Sequence, residues 1–565
     1  MNDAFSPALD QPEPLALQAP VHGRLDHRLA DRSGQRLLGA FYTSSQAAGV
    51  MASWVLRTSQ DRVLEPSFGG GAFIDAVAEV RRQRGWKDVR TFGAELVEAT
   101  FADSVGRGVL PAEDAFLGDF LALEPFPVDA VIGNPPYVRL RHLPADQEAR
   151  ATRVAAEALG APMEAAGSVW MPFVLHALRF LRRGGRCALV LPLDLTYVKY
   201  ARALWTVLGG SFGSLRLVRV HERIFPDILQ DVVVLLADGF GETTTYVEFV
   251  ALNRSAEFAE SIDRAGRPVP VVDLARGDRA FMRALLSPRL LALLDSKVLP
   301  FTKPVREYCA FNIGYVSGHK GFFHPPRDLV ERFSLPQSSL RPALSSSRQL
   351  TGVGVRTSAL AQTSHLYLPG SELAELSPGE RRYIAQGETD GVHLRYKCRV
   401  RTPWHVVPGV RVPDLVMSVF SERPVVLLND AGLVATNSLL CGFLRKGTAE
   451  AFVSSWYTSL TLLMCEMEVH SLGGGVLVLI PGEVGKVRVA PITTSAPGHI
   501  TRLHGLLRAG NVAGAYALGD ESILATALGL SAEEQSLIQE GVATLRHWRL
   551  SARGGESGEE NAEPE

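Results

Sequence analysis

The run Val131-Ile132-Gly133-Asn134-Pro135-Pro136-Tyr137 follows an apolar segment and brings together a carboxamide, two prolines and a phenol. Consecutive prolines fix φ and remove two backbone donors, so the chain through Pro135 and Pro136 is rigid and its carbonyls stay free to accept. A rigid carbonyl beside an Asn side-chain oxygen suits acceptance of both N–H groups of a small planar amine. The exocyclic nitrogen of adenine is such an amine, and a weak nucleophile because its lone pair is spread into the ring. Hydrogen bonds to Asn134 Oδ1 and to the Pro135 carbonyl would draw that nitrogen toward tetrahedral geometry and free the pair for attack. The bland alternative is a stiff strand-to-loop turn.

Upstream, Val63-Leu64-Glu65-Pro66-Ser67-Phe68-Gly69-Gly70-Gly71-Ala72-Phe73 reads as a strand, a glycine-rich turn opening at Gly69, and a helix start. That arrangement lets the backbone approach a nucleoside at the carboxyl end of a sheet, although any tight connection also uses glycines. Glu95, thirty residues after Glu65, ends the next strand candidate; the spacing fits one strand-helix-strand unit that presents an acid to ribose hydroxyls. Leu117-Gly118-Asp119-Phe120 then offers a carboxylate to an adenine amine and a ring to stack on the base. Each acid taken singly also reads as a solvated strand end. No GxGxxG pattern occurs, and Glu65 sits where a pyrophosphate would be repelled. A cationic sulfonium cofactor fits better than a dinucleotide.

These residues need a framework, and residues 37 to 260 supply its signature. Short apolar runs (62–65, 91–96, 128–132, 187–191) alternate with helical patterns (73–82, 169–181), as expected of an α/β, mainly parallel, doubly wound Rossmann-like domain. Further strand candidates lie at 216–220, 232–236 and 243–250. Residues 261 to 300 read as a helical connector, and 301 to 550 as an irregular α+β domain whose last fifty residues return to helical spacing. Residues 1 to 36 and the acidic tail 551 to 565 lack periodicity and are expected to be disordered.

Order and spacing of these motifs resemble those of the DNA amino-methyltransferases, in particular the TaqI-like, gamma group that acts on adenine N6. The resemblance implies S-adenosyl-L-methionine as cofactor, base flipping, and a target-recognition domain after the catalytic one. It carries Glu65, Glu95, Asp119 and Phe120 to cofactor positions. Gly39-Ala40-Phe41-Tyr42-Thr43 is similar to the family's first cofactor motif, with Thr43 near the methionine end. Asn134, Pro135 and Tyr137 would serve the flipped base, and Phe225, in Arg223-Ile224-Phe225-Pro226, would stack on its other face. Methylation of cytosine N4, of ribosomal RNA or of a protein glutamine shares the first domain and stays open, as does a modification subunit working beside a separate restriction endonuclease.

Composition neither adds to nor opposes this. A net charge of −2 does not advertise a nucleic-acid partner, yet residues 301 to 450 hold 18 Lys and Arg against 12 Asp and Glu. Residues 306–324 and 395–405 interleave basic and aromatic side chains, so Lys320, Arg348, Arg399 and Trp404 are the candidate contacts to double-stranded DNA; a surface strand with snorkelling arginines would look the same. Five scattered cysteines with no CxxC pair give neither a disulfide framework nor a metal site. With no leader and no long apolar run in the sequence, the expectation is a cytoplasmic monomer with no membrane partner.

Overall fold

The computed structural model describes residues 45–550 apart from 165–166, 223, 225–230, 351, 362, 473–474 and 493–496. The expectations for residues 1–36 and 551–565, for Thr43 and for Phe225 lie outside the described residues. Among the described residues, no helix is long and apolar enough to cross a membrane.

The first unit is built on a nine-stranded sheet. In chain order its elements are α1 (Ser45–Val55), β1 (Arg62–Glu65), α2 (Ala72–Gln83), β2 (Arg90–Glu95), α3 (Glu98–Gly106), β3 (Ala115–Leu117), β4 (Val128–Gly133), α4 (Ala145–Leu159), α5 (Trp170–Leu178), β5 (Leu181–Pro192), α6 (Arg202–Gly209), β6 (Phe212–Val220), β7 (Val232–Phe240), β8 (Tyr246–Leu252) and β9 (Arg267–Pro270). The strand order is β3-β2-β1-β4-β5-β7-β6-β8-β9. β1 pairs in parallel with both β2 and β4, so the order reverses between β1 and β4; that switch point opens a crevice at the carboxyl ends of the strands. Every residue of β4 is buried, as a central strand covered on both faces requires. Two apolar layers sandwich the sheet, one centred on Val131, Trp170 and Leu189, the other on Met51, Phe73 and Ile132.

The expected connector differs in its first residues. Arg267–Pro270 is no helix: it adds to the sheet edge as β9, antiparallel to β8, which the two prolines of Arg-Pro-Val-Pro permit because an edge strand can leave donors unmade. Helical turns follow from Val271 onward, and Leu286, Leu290, Leu293, Leu294 and Val298 enter the core of the second unit.

That unit joins small sheets to a helical layer. Its elements used below are β10 (Cys309–Ile313), β11 (Leu415–Ser418), β12 (Val426–Leu428), β13 (Leu439–Leu444), α7 (Ala449–Trp456), α8 (Ser459–Glu468) and α9 (Ala532–Arg549). The four strands pair antiparallel in the order β10-β13-β11-β12. Helix α8 is buried along almost its whole length between this sheet and α9. Ser531 and Glu534 close a capping box that starts α9, and its far end returns to the first unit, where Arg219 of β6 donates to the Trp548 carbonyl at 2.6 Å.

Candidate active site

β4 ends at Gly133 because Pro135 and Pro136 cannot continue a ladder, and the loop that follows is anchored on both sides. A Cβ on Gly133 would lie 3.3 Å from Pro66 Cδ and 3.6 Å from Glu65 Cγ, so the loop at 134–137 leaves its strand against the Glu65-Pro66 end of β1. Beyond it, Val138 to Leu140 are pinned to 167–169: Val169 N–H donates to the Val138 carbonyl at 2.9 Å, and Leu140 N–H to that of Gly167 at 3.0 Å. The Ser168 hydroxyl also donates to the Val138 carbonyl, at 2.9 Å.

Within the loop, Tyr137 donates from its hydroxyl to Asn134 Oδ1 at 2.6 Å and to the Val190 carbonyl of β5 at 3.0 Å. Its ring is partly buried and touches both apolar layers, and burial pushes the phenol well above its ordinary pKa. The phenol therefore stays a donor, and it ties the carboxamide of Asn134 to the neighbouring strand. Asn134 and Pro136 are half-buried and Pro135 is buried. An sp² oxygen has two lone pairs, so Asn134 Oδ1 can hold the Tyr137 hydroxyl and still accept from an amine.

The glycine turn after β1 and the acid after β2 converge at the same end of the sheet. Glu95 Oε2 accepts from Gly69 N–H at 3.0 Å and Oε1 from Val97 N–H at 2.8 Å, tying the acid after β2 to the glycine turn after β1. Gly69 (φ 50°) and Gly71 (φ 86°) both take left-handed conformations, and Gly71 forms the N-cap of α2. Glu65 is 2% exposed and its Oε2 has no hydrogen-bond partner. Burial, then the charge of Glu95, raise its pKa well above the usual range; donation from the Ile74 backbone lowers it and Asp75 raises it further. A buried carboxylate oxygen without a donor is a receptor for a cationic or donor-bearing ligand, so this donor set fits S-adenosylmethionine.

One expectation needs revision. Phe120 does not present its ring to the crevice. The turn Phe120–Ala122, capped by Asp119 through Leu121 N–H, swings the ring under the sheet, where it is 2% exposed and stacks on Phe180 with centroids 5.5 Å apart. Leu96, directly after Glu95, is an apolar side chain left 46% exposed at the end of β2. Its only signal in the sequence is an apolar residue following a strand-ending acid. Asp119 is already held: Arg150 from α4 donates to its Oδ2 at 2.5 Å. No sequence spacing announced Arg150, because it reaches across 31 residues.

Of the four candidate DNA contacts, Lys320, Arg348 and Arg399 are exposed. Trp404 is a packing residue in the second unit, its ring 5.1 Å from that of Phe322 and its Nε1 donating to Glu388.

Known proteins divide along the same seam. Residues 26–200 match the N-6 DNA Methylase family model, and residues 278–524 match that of the C-terminal domain of Type II methyltransferase M.Eco57I. Type II methyltransferase M.AccI of Acinetobacter calcoaceticus is 21% identical over 424 residues, which cover 71% of this chain and 75% of that protein. Type II methyltransferase M.PaeR7I of Pseudomonas aeruginosa is 25% identical over 483 residues, 76% and 79% of the two chains. Among solved structures, the Type IIL restriction-modification enzyme MmeI, determined in complex with DNA, shares the fold with a TM-score of 0.52 at 12% identity, over 91% of this chain and 79% of that one. With a match to an N-6 DNA methylase model over its first part and to a methyltransferase C-terminal domain over its second, the chain is a DNA methyltransferase similar to those of restriction-modification systems, and uses S-adenosylmethionine.

Proposed function

We propose that the protein methylates the N6 amine of a flipped adenine at a specific site in double-stranded DNA, in the manner of the TaqI-like group. The observation that carries this reading is the Asn134–Tyr137 pair, locked to β5 at the carboxyl end of the sheet and set against the Glu65 motif. S-adenosylmethionine, when bound, supplies an electrophilic methyl group.

The chain's own residues do the rest. Asn134 Oδ1 and the Pro135 carbonyl accept the two amine hydrogens and raise the nucleophilicity of the nitrogen. Tyr137 stacks on the extruded base, and Phe225 takes its other face; such stacking is worth roughly 1–3 kcal/mol per contact, comparable to the few kcal/mol that extrusion costs. Glu95 takes the ribose hydroxyls, Asp119 the cofactor's amine, and Glu65 and Thr43 its methionine end. Holding amine and methyl in line replaces acid-base chemistry as the main source of rate, because the amine sheds its proton readily once alkylated. Residues 301–550 act as the recognition domain, and a separate endonuclease is the natural partner of such an activity.

Incubating the protein and its Asn134→Ala variant with unmethylated DNA and S-adenosylmethionine, then identifying nucleosides by mass spectrometry, tests this. N6-methyladenine from the wild type alone, with cofactor binding kept in the variant, is the expected result. N4-methylcytosine, or no methylated base on diverse DNAs, overturns the adenine assignment.

A further inference from the structure

The second unit carries an exposed strip in which three cations alternate with three apolar side chains. It runs from Leu394 to Val400, across the short helix Tyr396–Arg399. Leu394 is 66% exposed, Tyr396 59% and Val400 62%, while Arg395, Lys397 and Arg399 between and beside them are exposed as well. Only Cys398 turns inward, fully buried, and it anchors the strip to the fold.

A second segment backs the strip from 80 positions away. Arg401 donates to the carbonyl of Ser317 at 2.8 Å and to that of Val316, and a Cβ on Gly318 would lie 3.0 Å from Cys398 Sγ and 3.1 Å from Lys397 Cβ. Gly318 has φ 89°, so both space and backbone require glycine there. The chain then emerges at exposed Lys320, which adds a fourth cation.

Two observations separate this strip from an ordinary solvated surface. Among the described residues, the side chains of Lys320, Arg395, Lys397 and Arg399 make no ion pair or hydrogen bond, although arginines elsewhere on the surface are commonly paired. Moreover, the Lys397 ammonium and the Arg399 guanidinium lie 5.2 and 5.6 Å from the Tyr396 ring centre, so the ring gathers two uncompensated charges around an exposed apolar body. Large apolar side chains at this exposure are costly to leave in water without a partner.

We infer that this strip docks into a groove of duplex DNA, its cations on the phosphates and Leu394, Tyr396 and Val400 against base and sugar edges. The inference rests on the proposed DNA substrate and adds to it which face of the second unit meets the duplex and how. Cations alone would give a purely electrostatic contact; the apolar members add a component that salt does not screen.

The two components are separable by experiment. Binding of a fluorescein-labelled mixed-sequence duplex of about 30 base pairs is measured by anisotropy over a range of salt, with plasmid methylation assayed in parallel. Arg395→Gln/Lys397→Gln/Arg399→Gln is expected to weaken binding more than tenfold at low salt and to lessen the slope of log affinity against log salt by about 2 to 3, each phosphate contact contributing roughly 0.9. Leu394→Ser/Tyr396→Ser/Val400→Ser is expected to keep the wild-type slope and lose roughly tenfold in affinity at every salt concentration. The single exposed change Lys397→Glu repeats the charge test with the least disturbance of the fold. Wild-type slope and affinity in the charge variants overturn the inference, as does unchanged affinity in the apolar variant. A wild-type chain that neither binds nor methylates DNA overturns the proposed function itself, a different outcome.

Discussion

Burial and the neighbouring charges of Glu95 and Asp75 hold the Glu65 carboxyl protonated above the ordinary carboxylate range. The sign of the linkage follows. A folded-state pKa raised above the unfolded value means that stability is greatest below the unfolded pKa and falls as pH rises through the folded one. The ligand-free protein should therefore lose stability as pH rises above the ordinary carboxylate range, and Glu65→Gln should flatten that loss, as thermal denaturation at several pH values will show. A cationic ligand needs the ionised carboxylate, so affinity for S-adenosylmethionine should rise over the same window in the wild type and lose its pH dependence in Glu65→Gln, measured by calorimetry. Tyr137→Phe separates the phenol's two roles. The ring remains for stacking, but the hydrogen bonds to Asn134 Oδ1 and Val190 are lost. A net hydrogen bond of about 0.5–1.5 kcal/mol converts to a roughly two- to tenfold fall in kcat with little change in KM. A large rise in KM instead would assign the hydroxyl to base binding.

At the scale of elements, the glycine turn between β1 and α2 decides how closely the backbone can approach a ligand. Gly71 combines φ 86° with a hypothetical Cβ only 2.5 Å from Val109 Cγ1. Gly71→Ala must strain the backbone and displace Val109, which costs about 1–3 kcal/mol and shifts the start of α2. Lower melting temperature together with weaker cofactor binding is the expected outcome; a drop in stability alone would show that the turn is only structural. The same element shows what motif reading captures. Glu65, Gly69 and Glu95 meet as their spacing implies, since a strand-helix-strand unit leaves little freedom. Phe120 does not follow its motif, because one 3₁₀ turn decides on which side of the sheet a ring falls, and that choice depends on Phe173, Phe180 and His176 waiting beneath it.

At the scale of the whole molecule, the end of α9 links the two units. Arg549 forms a bidentate pair with Glu466 of α8, the side chains 4% and 1% exposed, with N···O distances of 2.7 and 2.8 Å. One residue earlier, Trp548 receives Arg219 of the methylase sheet through its carbonyl and beneath its ring. Burial pushes Arg219 down to about 10, still far above neutrality, so it keeps its charge. Glu466→Gln leaves the Arg549 guanidinium buried without a counter-charge and should destabilise the chain by about 3–5 kcal/mol, read as a lowered midpoint of denaturation. A change within about 0.5 kcal/mol would mean that water reaches the pair. Because Arg549 and Trp548 are adjacent, loosened contact between the units should accompany the loss, visible as faster amide exchange around Arg219.

Local chemistry and short-range spacing determined the α/β class of the first unit, the rigid loop that follows β4 and the meeting of the glycine turn with Glu95. These depend on a strand, a turn and a helix start that a dozen residues specify by themselves. Tertiary structure alone decided the burial of Phe120, the packing of Trp404 on Phe322, the hold of Arg150 on Asp119, the strand at Arg267–Pro270, and the meeting of 316–320 with 394–401. Each depends on contacts between segments far apart in the chain or on which face of a sheet a side chain takes, and neither leaves a periodic trace in the residues. The second unit was least legible for the same reason: its strands are short, its sheets are small, and its core is assembled from long-range pairs.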